Sequence, residues 1–464
     1  MDVRPQMSPD EPLALANSTA RADLTFLFLV LSGGLMVGAI LHQKEPIYGA
    51  NDASRWDTVY YLVEHGKYEF VRDHGAWWGN SKPPLPRDIP PFATIDMIRI
   101  VDAQGRDHYY SSKPPFLPTC LAGVVLLIEK ATLGAVDFRL HPWFIIRTTL
   151  ILVQVLPLLV AFWLIRRHIL RDDDPLFVRK FCLATVTLGT YLTAWAVTLN
   201  NHVIAAAACT FAAHAMIRIW YDERRQWYWF ALAGFFGAFT AATELPAGLL
   251  AVAFMVLMFC KDRRRTLSAA VPAALVPAAV FICTNLLATG RILPAYTEVY
   301  KPGGWYDFPG SYWSNPTGID ALSEPKVVYV LNMLVGHHGF FSLTPVLLIC
   351  LAGMIVQVSR AESTRRGQAA LVLLLTAAVA GVYACTTKNY GGLCEGLRWL
   401  LWLVPLWLLF LAEPVRTLAR TRAGRFLCYS ALAVSAISMA DALPRPWSPS
   451  WLHRIFQQLH WVSY

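Results

Sequence analysis

Long apolar runs separated by short polar segments dominate this chain. A bilayer-spanning helix needs about 20 mostly apolar residues, and twelve segments come close enough to that length to predict membrane-crossing helices. They are residues 24–42, 116–131, 143–165, 181–199, 203–219, 227–243, 246–260, 270–289, 340–357, 368–385, 397–413 and 424–440. The pattern predicts an all-α integral membrane fold, with residues 1–464 forming a single polytopic domain.

Composition and charge agree with this interpretation. Of the 464 residues, 56% are hydrophobic and 15% charged, whereas soluble domains have about 45–50% and 25%. The net charge of +9 comes largely from short basic loops between the apolar runs, which is typical of cytoplasmic loops and not of a nucleic-acid-binding face. These loops are 166–180, 218–225, 261–265, 360–366 and 416–425. We therefore expect membrane lipids and no nucleic acid as partners.

The side of the membrane on which each loop lies limits how many times the chain can cross the membrane. The run at 24–42 lacks a small-residue cleavage site and is predicted to be a retained span. With the amino terminus inside, an odd number of crossings must then separate Lys113 from Arg166, yet two candidate segments lie between them. The segment 116–131 is the weaker, because it is short and opens with prolines. We expect it to be partly re-entrant or oblique, which leaves about eleven full spans.

Two polar stretches, 43–115 and 289–339, are too long to be simple connections and are expected to be functional outer loops. In the first, the sequence "NDASRWDTVYYLVEHGKYEF" at 51–70 has apolar residues at helical spacing. This predicts an amphipathic helix on the membrane surface. The aromatic side chains of the second loop could stack on sugars or belong to an interfacial belt.

The charged residues of the predicted surface helix fall into two groups. Asp52 and Arg55 are three residues apart and share a face, whereas Asp57 and Glu64 are predicted to face solvent. A carboxylate and a cation would thus be held together at the interface. The alternative is that Asn51 or Asp52 caps the helix, since both residue types are favoured there.

A lysine followed by two prolines occurs twice, in "SKPP" at Lys82 and again at Lys113. Only Lys113 precedes an apolar run, so it is the better candidate for an anion site at the membrane interface. The alternative is an ordinary lysine whose ammonium extends to the interface.

Further polar residues lie at the ends of apolar runs, where ionisable groups are costly and suggest function. They are Asn201, His202, Glu244, His337, His338 and Arg398. Each has an ordinary alternative: hydrogen-bonded structural histidines, a loop acid, or an arginine that reaches the interface. Adjacent histidines are weak evidence for a metal, and no metal site is predicted. Among the nine cysteines, Cys385 and Cys394 are the pair suited to a disulfide.

The order of these motifs resembles the lipid-donor glycosyltransferases of the GT-C superfamily, especially the protein O-mannosyltransferase and aminoarabinose transferase branch (glycosyltransferase family 39-like). "DASRW" with "HGKY" is similar to the Asp-x-x-Arg-aromatic helix of these enzymes, and "YYSSKPPFLP" to their Lys-Pro segment. "GGLCEGLRWL" is similar to a Gly-Gly…Arg segment of bacterial members. The resemblance implies a GT-C fold and an outer-face active site in a bacterial plasma membrane.

The resemblance also implies roles for individual residues. It puts Asp52 at the catalytic acid position and Lys113, near Tyr110, at the phosphate-contacting position. Many family members carry a second acid where this chain has Asn200, Asn201 and His202. Because a hard cation prefers carboxylate ligands, a divalent metal cofactor is in doubt.

Transfer of a sugar from a polyprenyl-phosphate donor needs a base for the incoming hydroxyl and positive charge for the leaving phosphate. Asp52, positioned by Arg55, is the expected base of an inverting hexosyl or pentosyl transferase. Lys113 and Arg398, with His337 or His338, are expected to bind the phosphate. The acceptor, a protein, lipid or glycan, stays open. A polytopic lipid or solute transporter and an inactive GT-C scaffold are the alternatives, although no internal repeat favours a transporter.

Overall fold

The computed structural model describes residues 11–72, 84–85, 87, 92–299 and 301–464, with backbone alone for residues 11–23 and 298. The first Lys-Pro-Pro motif, with Lys82, lies outside the described residues. The helices are α1 (Glu11–His42), α2 (Ala50–His65), α3 (Phe116–Ala131), α4 (Pro142–Leu150), α5 (Leu156–Ile169), α6 (Leu176–Leu188), α7 (Tyr191–Trp195), α8 (Asn201–Trp220), α9 (Trp227–Thr243), α10 (Gly248–Lys261), α11 (Arg263–Arg265), α12 (Val271–Thr289), α13 (Lys326–Leu334), α14 (Val346–Ser359), α15 (Arg366–Thr386), α16 (Val404–Leu408), α17 (Ala412–Leu418), α18 (Arg422–Ala442) and α19 (Trp451–Gln458). Single turns of π-helix, Ile151–Val155 and Thr266–Ala270, join α4 to α5 and α11 to α12.

Six helical stretches in the described part of the chain are long and apolar enough to cross a membrane, so the protein is a multi-pass membrane protein. They are Leu24–His42, Pro142–Ile169, Asn201–Trp220, Arg263–Thr289, Arg366–Thr386 and Arg422–Ala442. A seventh span would consist of two helical pieces, Arg398–Leu408 and Ala412–Leu418, bent by 67°. This is fewer than the eleven or twelve predicted spans, because several apolar runs form short or interrupted helices. The run at 181–199, for example, breaks between α6 and α7.

Helix α8 lies at the centre of the bundle. In its most apolar window 78% of the residues are buried, compared with 22% in α1, α12 and α15. Small residues allow the neighbouring helices to approach: a Cβ atom on Gly234 of α9 would lie 2.3 Å from the carbonyl oxygen of Ala270. Residues at the start of α8 are therefore inside the protein.

The fold is mostly helical, as the all-α prediction expects, and the first long loop adds one β-hairpin. Strand β1 (Met97–Val101) pairs antiparallel with β2 (Asp107–Ser111). The second long loop packs on this hairpin, where the Arg99 amide donates to the Trp305 carbonyl oxygen at 2.9 Å. The hairpin therefore joins the two long loops.

The prediction that α2 lies on a membrane surface is wrong. Every residue from Asn51 to Tyr61 is buried, since α3 and residues 92–96 cover the helix. Asp57, expected to face solvent, is 0% exposed, and its Oδ1 accepts from the Phe92 amide at 3.2 Å. Glu64 is half-buried. Helical spacing predicted the helix but not the chain segments that cover it.

Cys385 and Cys394, the pair that could have formed a disulfide, do not form one. Cys385 is exposed at the end of α15, whereas Cys394 is buried, and both thiols are free.

Candidate functional site at one end of the bundle

Helix α2 begins at the site, and Asp52 stabilises its first turn. Gly49 is the N-cap, and Asp52 accepts the backbone amides of Tyr48 at Oδ2 (2.9 Å) and of Gly49 at Oδ1 (2.8 Å). Oδ2 also accepts the hydroxyl of Thr198, at 2.7 Å. Asp52 is 0% exposed, and this burial raises its pKa to about 6 despite these hydrogen bonds. The N-cap is thus neither Asn51 nor Asp52, but Asp52 completes a capping box with Gly49, and its burial leaves a poorly solvated carboxylate at the site.

One turn later on α2, Arg55 points towards α8. Its Nη2 donates to Oδ1 of Asn201 at 2.7 Å, and its Nη1 donates to the carbonyl oxygen of Asn51 at 2.9 Å. Arg55 is 3% exposed, and burial together with the positive charge of Arg398 lowers its pKa to about 10. Its hydrogen-bond partners are thus neutral amides.

A second arginine enters from the turn Arg398–Leu403. Arg398 donates from Nε and Nη2 to the Gly391 carbonyl oxygen, at 3.1 and 2.8 Å, and its guanidinium lies 4.8 Å from the ring centre of Trp447. Nη1 lies 2.8 Å from Nε2 of His202. Because arginine can only donate, His202 Nε2 accepts, which puts the His202 proton on Nδ1.

The His202 Nδ1 atom contacts Oε1 of Glu244, and the same oxygen accepts from Nδ2 of Asn201 at 2.8 Å. One continuous hydrogen-bond network therefore joins Arg55, Asn201, Glu244, His202 and Arg398. The neighbouring Asn200 lies outside this network, since its side chain caps α8 by accepting the Val203 amide at 2.9 Å.

Lys113 enters this end of the bundle from the end of the hairpin. Its Nζ pairs with Oδ2 of Asp96 at 2.9 Å, and burial is the main cause that lowers its pKa. The positive charges of Arg55 and Arg398 lower this pKa further, so the three cations act on one another. Tyr110 and Lys113 line a small cleft that also includes Asn285 of α12.

Sequence reasoning missed Asp96, Thr198 and Trp447. The Trp447 indole donates to the Thr198 hydroxyl at 3.3 Å, and Thr198 in turn donates to Asp52. A Cβ atom on Gly49 would lie 3.1 Å from the Trp447 ring, so only glycine fits at that position without displacing the ring. Trp447 is 249 residues from Thr198, and no local pattern connects positions that far apart.

The predicted site residues His337 and His338 belong to a separate cluster. Their Nδ1 atoms lie 2.6 Å apart, and His337 Nε2 lies 3.0 Å from the Tyr464 hydroxyl.

Neither site arginine forms a direct ion pair. Among the described residues, neither Arg55 nor Arg398 has a carboxylate within ion-pairing distance, although both are at least nine-tenths buried. The three nearby carboxylates have other partners: the Asp52 oxygens accept amide and hydroxyl groups, Asp96 pairs with Lys113, and Glu244 contacts His202 and Asn201. Guanidinium groups buried without a direct anionic partner are costly, and a phosphate is an anion that could pair with both of them.

No protein-family model and no curated protein matches this sequence. Among solved structures, the apo oligosaccharyltransferase of Archaeoglobus fulgidus aligns with a TM-score of 0.51 and 10% identity, over 94% of this chain and 57% of that one. Two further structures of that enzyme, with zinc and sulfate and with an inhibitory peptide and a dolichol-phosphate, give TM-scores of 0.49 at 13% and 12% identity; each covers 94% of this chain, and 55% and 57% of the other.

The chain spans about 57% of the length of the archaeal enzyme, so the likeness concerns the fold and not the whole protein. On this evidence the chain has a helical fold similar to that of the archaeal oligosaccharyltransferase.

Proposed function

We propose that this chain is a membrane glycosyltransferase that moves a sugar from a polyprenyl-phosphate donor to an acceptor hydroxyl. One observation carries the proposal: Arg55 and Arg398 converge in a buried site without a carboxylate partner among the described residues. The GT-C type fold supports glycosyl transfer as the reaction.

The leaving phosphate would bind between the three cations. Arg398 would exchange its contact with His202 for a phosphate oxygen, and Arg55 would exchange its contact with Asn201. Lys113, though paired with Asp96, would add a third positive charge close by. Charge-assisted hydrogen bonds of this kind stabilise the negative charge that develops on the phosphate as the bond to the sugar breaks.

Asp52 is the proposed general base, and the Thr198 hydroxyl marks the place of the acceptor hydroxyl. The acceptor would replace Thr198 at Oδ2 and transfer its proton to that oxygen. Its oxygen would then form a bond to the anomeric carbon, and the bonding electrons of the carbon–oxygen bond to the phosphate would go to the phosphate. One displacement of this kind inverts the anomeric centre.

The placement of the site supports a lipid donor and an outer-face reaction. Residues 200–202, 244 and 391–398 meet at one end of the helices, and the basic loops lie at the other. If the basic loops are cytoplasmic, as positive loops usually are, the site faces outwards. In a bacterium this is the outer face of the plasma membrane.

Binding of polyprenyl phosphate, the leaving group, tests the proposal without knowledge of the sugar. The protein in nanodiscs is titrated with polyprenyl phosphate, and Arg398→Gln is expected to weaken binding, whereas Arg360→Gln, at the other end, is a control. Equal affinity in all three proteins would contradict the phosphate site.

A second assay separates transfer from transport. Polyprenyl-phosphate mannose and polyprenyl-phosphate aminoarabinose, each with a labelled sugar, are supplied to proteoliposomes with a membrane extract as the source of acceptor. A transferase releases polyprenyl phosphate, and Asp52→Asn stops this release. Movement of intact donor across the bilayer without cleavage would support a transporter instead.

A further inference from the structure

Three buried histidines meet near, but outside, the proposed catalytic cluster. His337 and His338 lie between α13 and α14, and His453 lies on α19, more than a hundred residues later. Their exposed fractions are 0%, 1% and 0%. One ring nitrogen from each residue can be chosen so that the three nitrogens all lie within 4.8 Å of one another.

The three rings are surrounded by protein rather than by water. This burial lowers the pKa values of His337, His338 and His453. Imidazole nitrogens are among the commonest metal ligands in proteins.

Outer hydrogen bonds orient the rings. The Tyr464 hydroxyl lies 3.0 Å from His337 Nε2 and donates to Oε1 of Glu324 at 2.8 Å. His453 Nε2 lies 2.9 Å from the Tyr464 carbonyl oxygen. Metal-binding histidines commonly use their second nitrogen in this way, and the nearby Glu324 carboxylate would offset part of the charge of an ion.

Two ring nitrogens of the cluster lack a hydrogen-bond partner. His453 Nδ1 and His338 Nε2 are both buried and unpartnered. The Nδ1 atoms of His337 and His338 lie 2.6 Å apart, where one ring can donate to the other. A metal ion accepts imidazole lone pairs and would give a buried, unpartnered ring nitrogen a ligand bond.

We propose that His337, His338 and His453 form a binding site for a zinc-type divalent ion, independent of the glycosyl-transfer proposal. Imidazole ligands suit zinc, nickel and copper, and three histidines leave a fourth position for water. The ion would attach α19 to the segment that precedes α14. Because Trp447 lies six residues before His453, the ion would also help to hold Trp447 against Arg398.

Metal content of the untagged full chain tests this proposal. The chain is expressed without a polyhistidine tag, purified without chelators and measured by inductively coupled plasma mass spectrometry. We expect about one zinc ion per chain, and at least a roughly tenfold lower content in His453→Gln. The matched control is His214→Gln, because His214 forms a similar His–His contact with His168, at 2.7 Å, at the other end of the bundle.

A second measurement covers the case in which His453→Gln fails to fold. The wild-type chain is stripped with a chelator and titrated with ZnCl₂ while its melting temperature and the amide exchange of residues 451–458 are followed. Zinc is expected to raise the melting temperature and slow the exchange. A wild-type chain that neither carries zinc nor responds to it overturns the proposal, and so does equal zinc content in wild type and a folded His453→Gln.

Discussion

Two arginines at each end of the helical bundle differ in their partners. At the basic end, defined by the loops 166–180, 218–225, 261–265, 360–366 and 416–425, Arg416 and Arg360 pair with acids. Arg416 donates to both oxygens of Asp174, at 2.5 and 2.8 Å, and Arg360 pairs with Glu413 at 3.1 Å. At the site end, Arg55 and Arg398 donate to amides, a carbonyl oxygen and an imidazole.

The difference in arginine partners matters because the arginines differ in their exposure to solvent. Arg360 is 61% exposed and Glu413 43%, so water already stabilises both charges. Arg55 and Arg398 are only 3% and 8% exposed. An arginine kept buried without an acid adds to the cost of folding, which is expected where a ligand brings the anion. Under the proposed function, charge at the basic end would set the topology, and charge at the site end would bind the phosphate.

The largest expected effect comes from Asp52→Asn. Removal of a general base typically costs about 100- to 10,000-fold in rate, so transfer should fall by that order while polyprenyl phosphate still binds. Asp57→Asn is the matched control, because Asp57 is equally buried on the same helix but accepts from the Phe92 amide. Unchanged turnover in Asp52→Asn would remove the proposed base.

The Asp52→Asn variant must also be tested for a loss of stability. An asparagine amide cannot accept both the Tyr48 and Gly49 amides and the Thr198 hydroxyl as the carboxylate does, so α2 should lose roughly 1 kcal/mol of stability. Melting temperatures of both variants separate this loss from the loss of activity.

Arg398→Gln and Arg416→Gln compare the two ends directly. A hydrogen bond to a charged group contributes about 1.5–3 kcal/mol, so Arg398→Gln should weaken polyprenyl-phosphate binding by about 10- to 100-fold. Arg416→Gln leaves Asp174 without its partner and should lower the melting temperature with little change in affinity. The comparison would fail if both variants lost affinity equally.

The pH dependence of transfer should be governed by Asp52. A general base is active when ionised, and burial raises the pKa of Asp52 to about 6. The rate should therefore be half-maximal near pH 6 and fall about tenfold per unit below that. A profile flat from pH 5 to 7 would argue against Asp52.

The smallest effect is expected from Arg360→Gln. An exposed ion pair contributes about 0–1 kcal/mol, so both stability and transfer should stay near wild-type values. A large loss of activity would show that the basic end takes part in the reaction.

The sequence indicated which charged residues the structure brings together at one end of the bundle, but not their neighbours. Asp52, Arg55 and Arg398 stand out because ionisable groups beside apolar helices are costly. The predictions for Asp57 and for a surface helix failed because helical spacing shows which residues share a face, not what covers that face. Thr198 and Trp447 come from distant segments, and their contacts depend on the tertiary fold.

The roles of these residues remain predictions, and a structure with polyprenyl phosphate bound would test the central claim most directly. The phosphate should lie within hydrogen-bonding distance of Arg55 and Arg398, near Lys113, with the lipid tail extending between helices towards the bilayer. A phosphate bound at the basic end, or away from these three side chains, would contradict the proposed site.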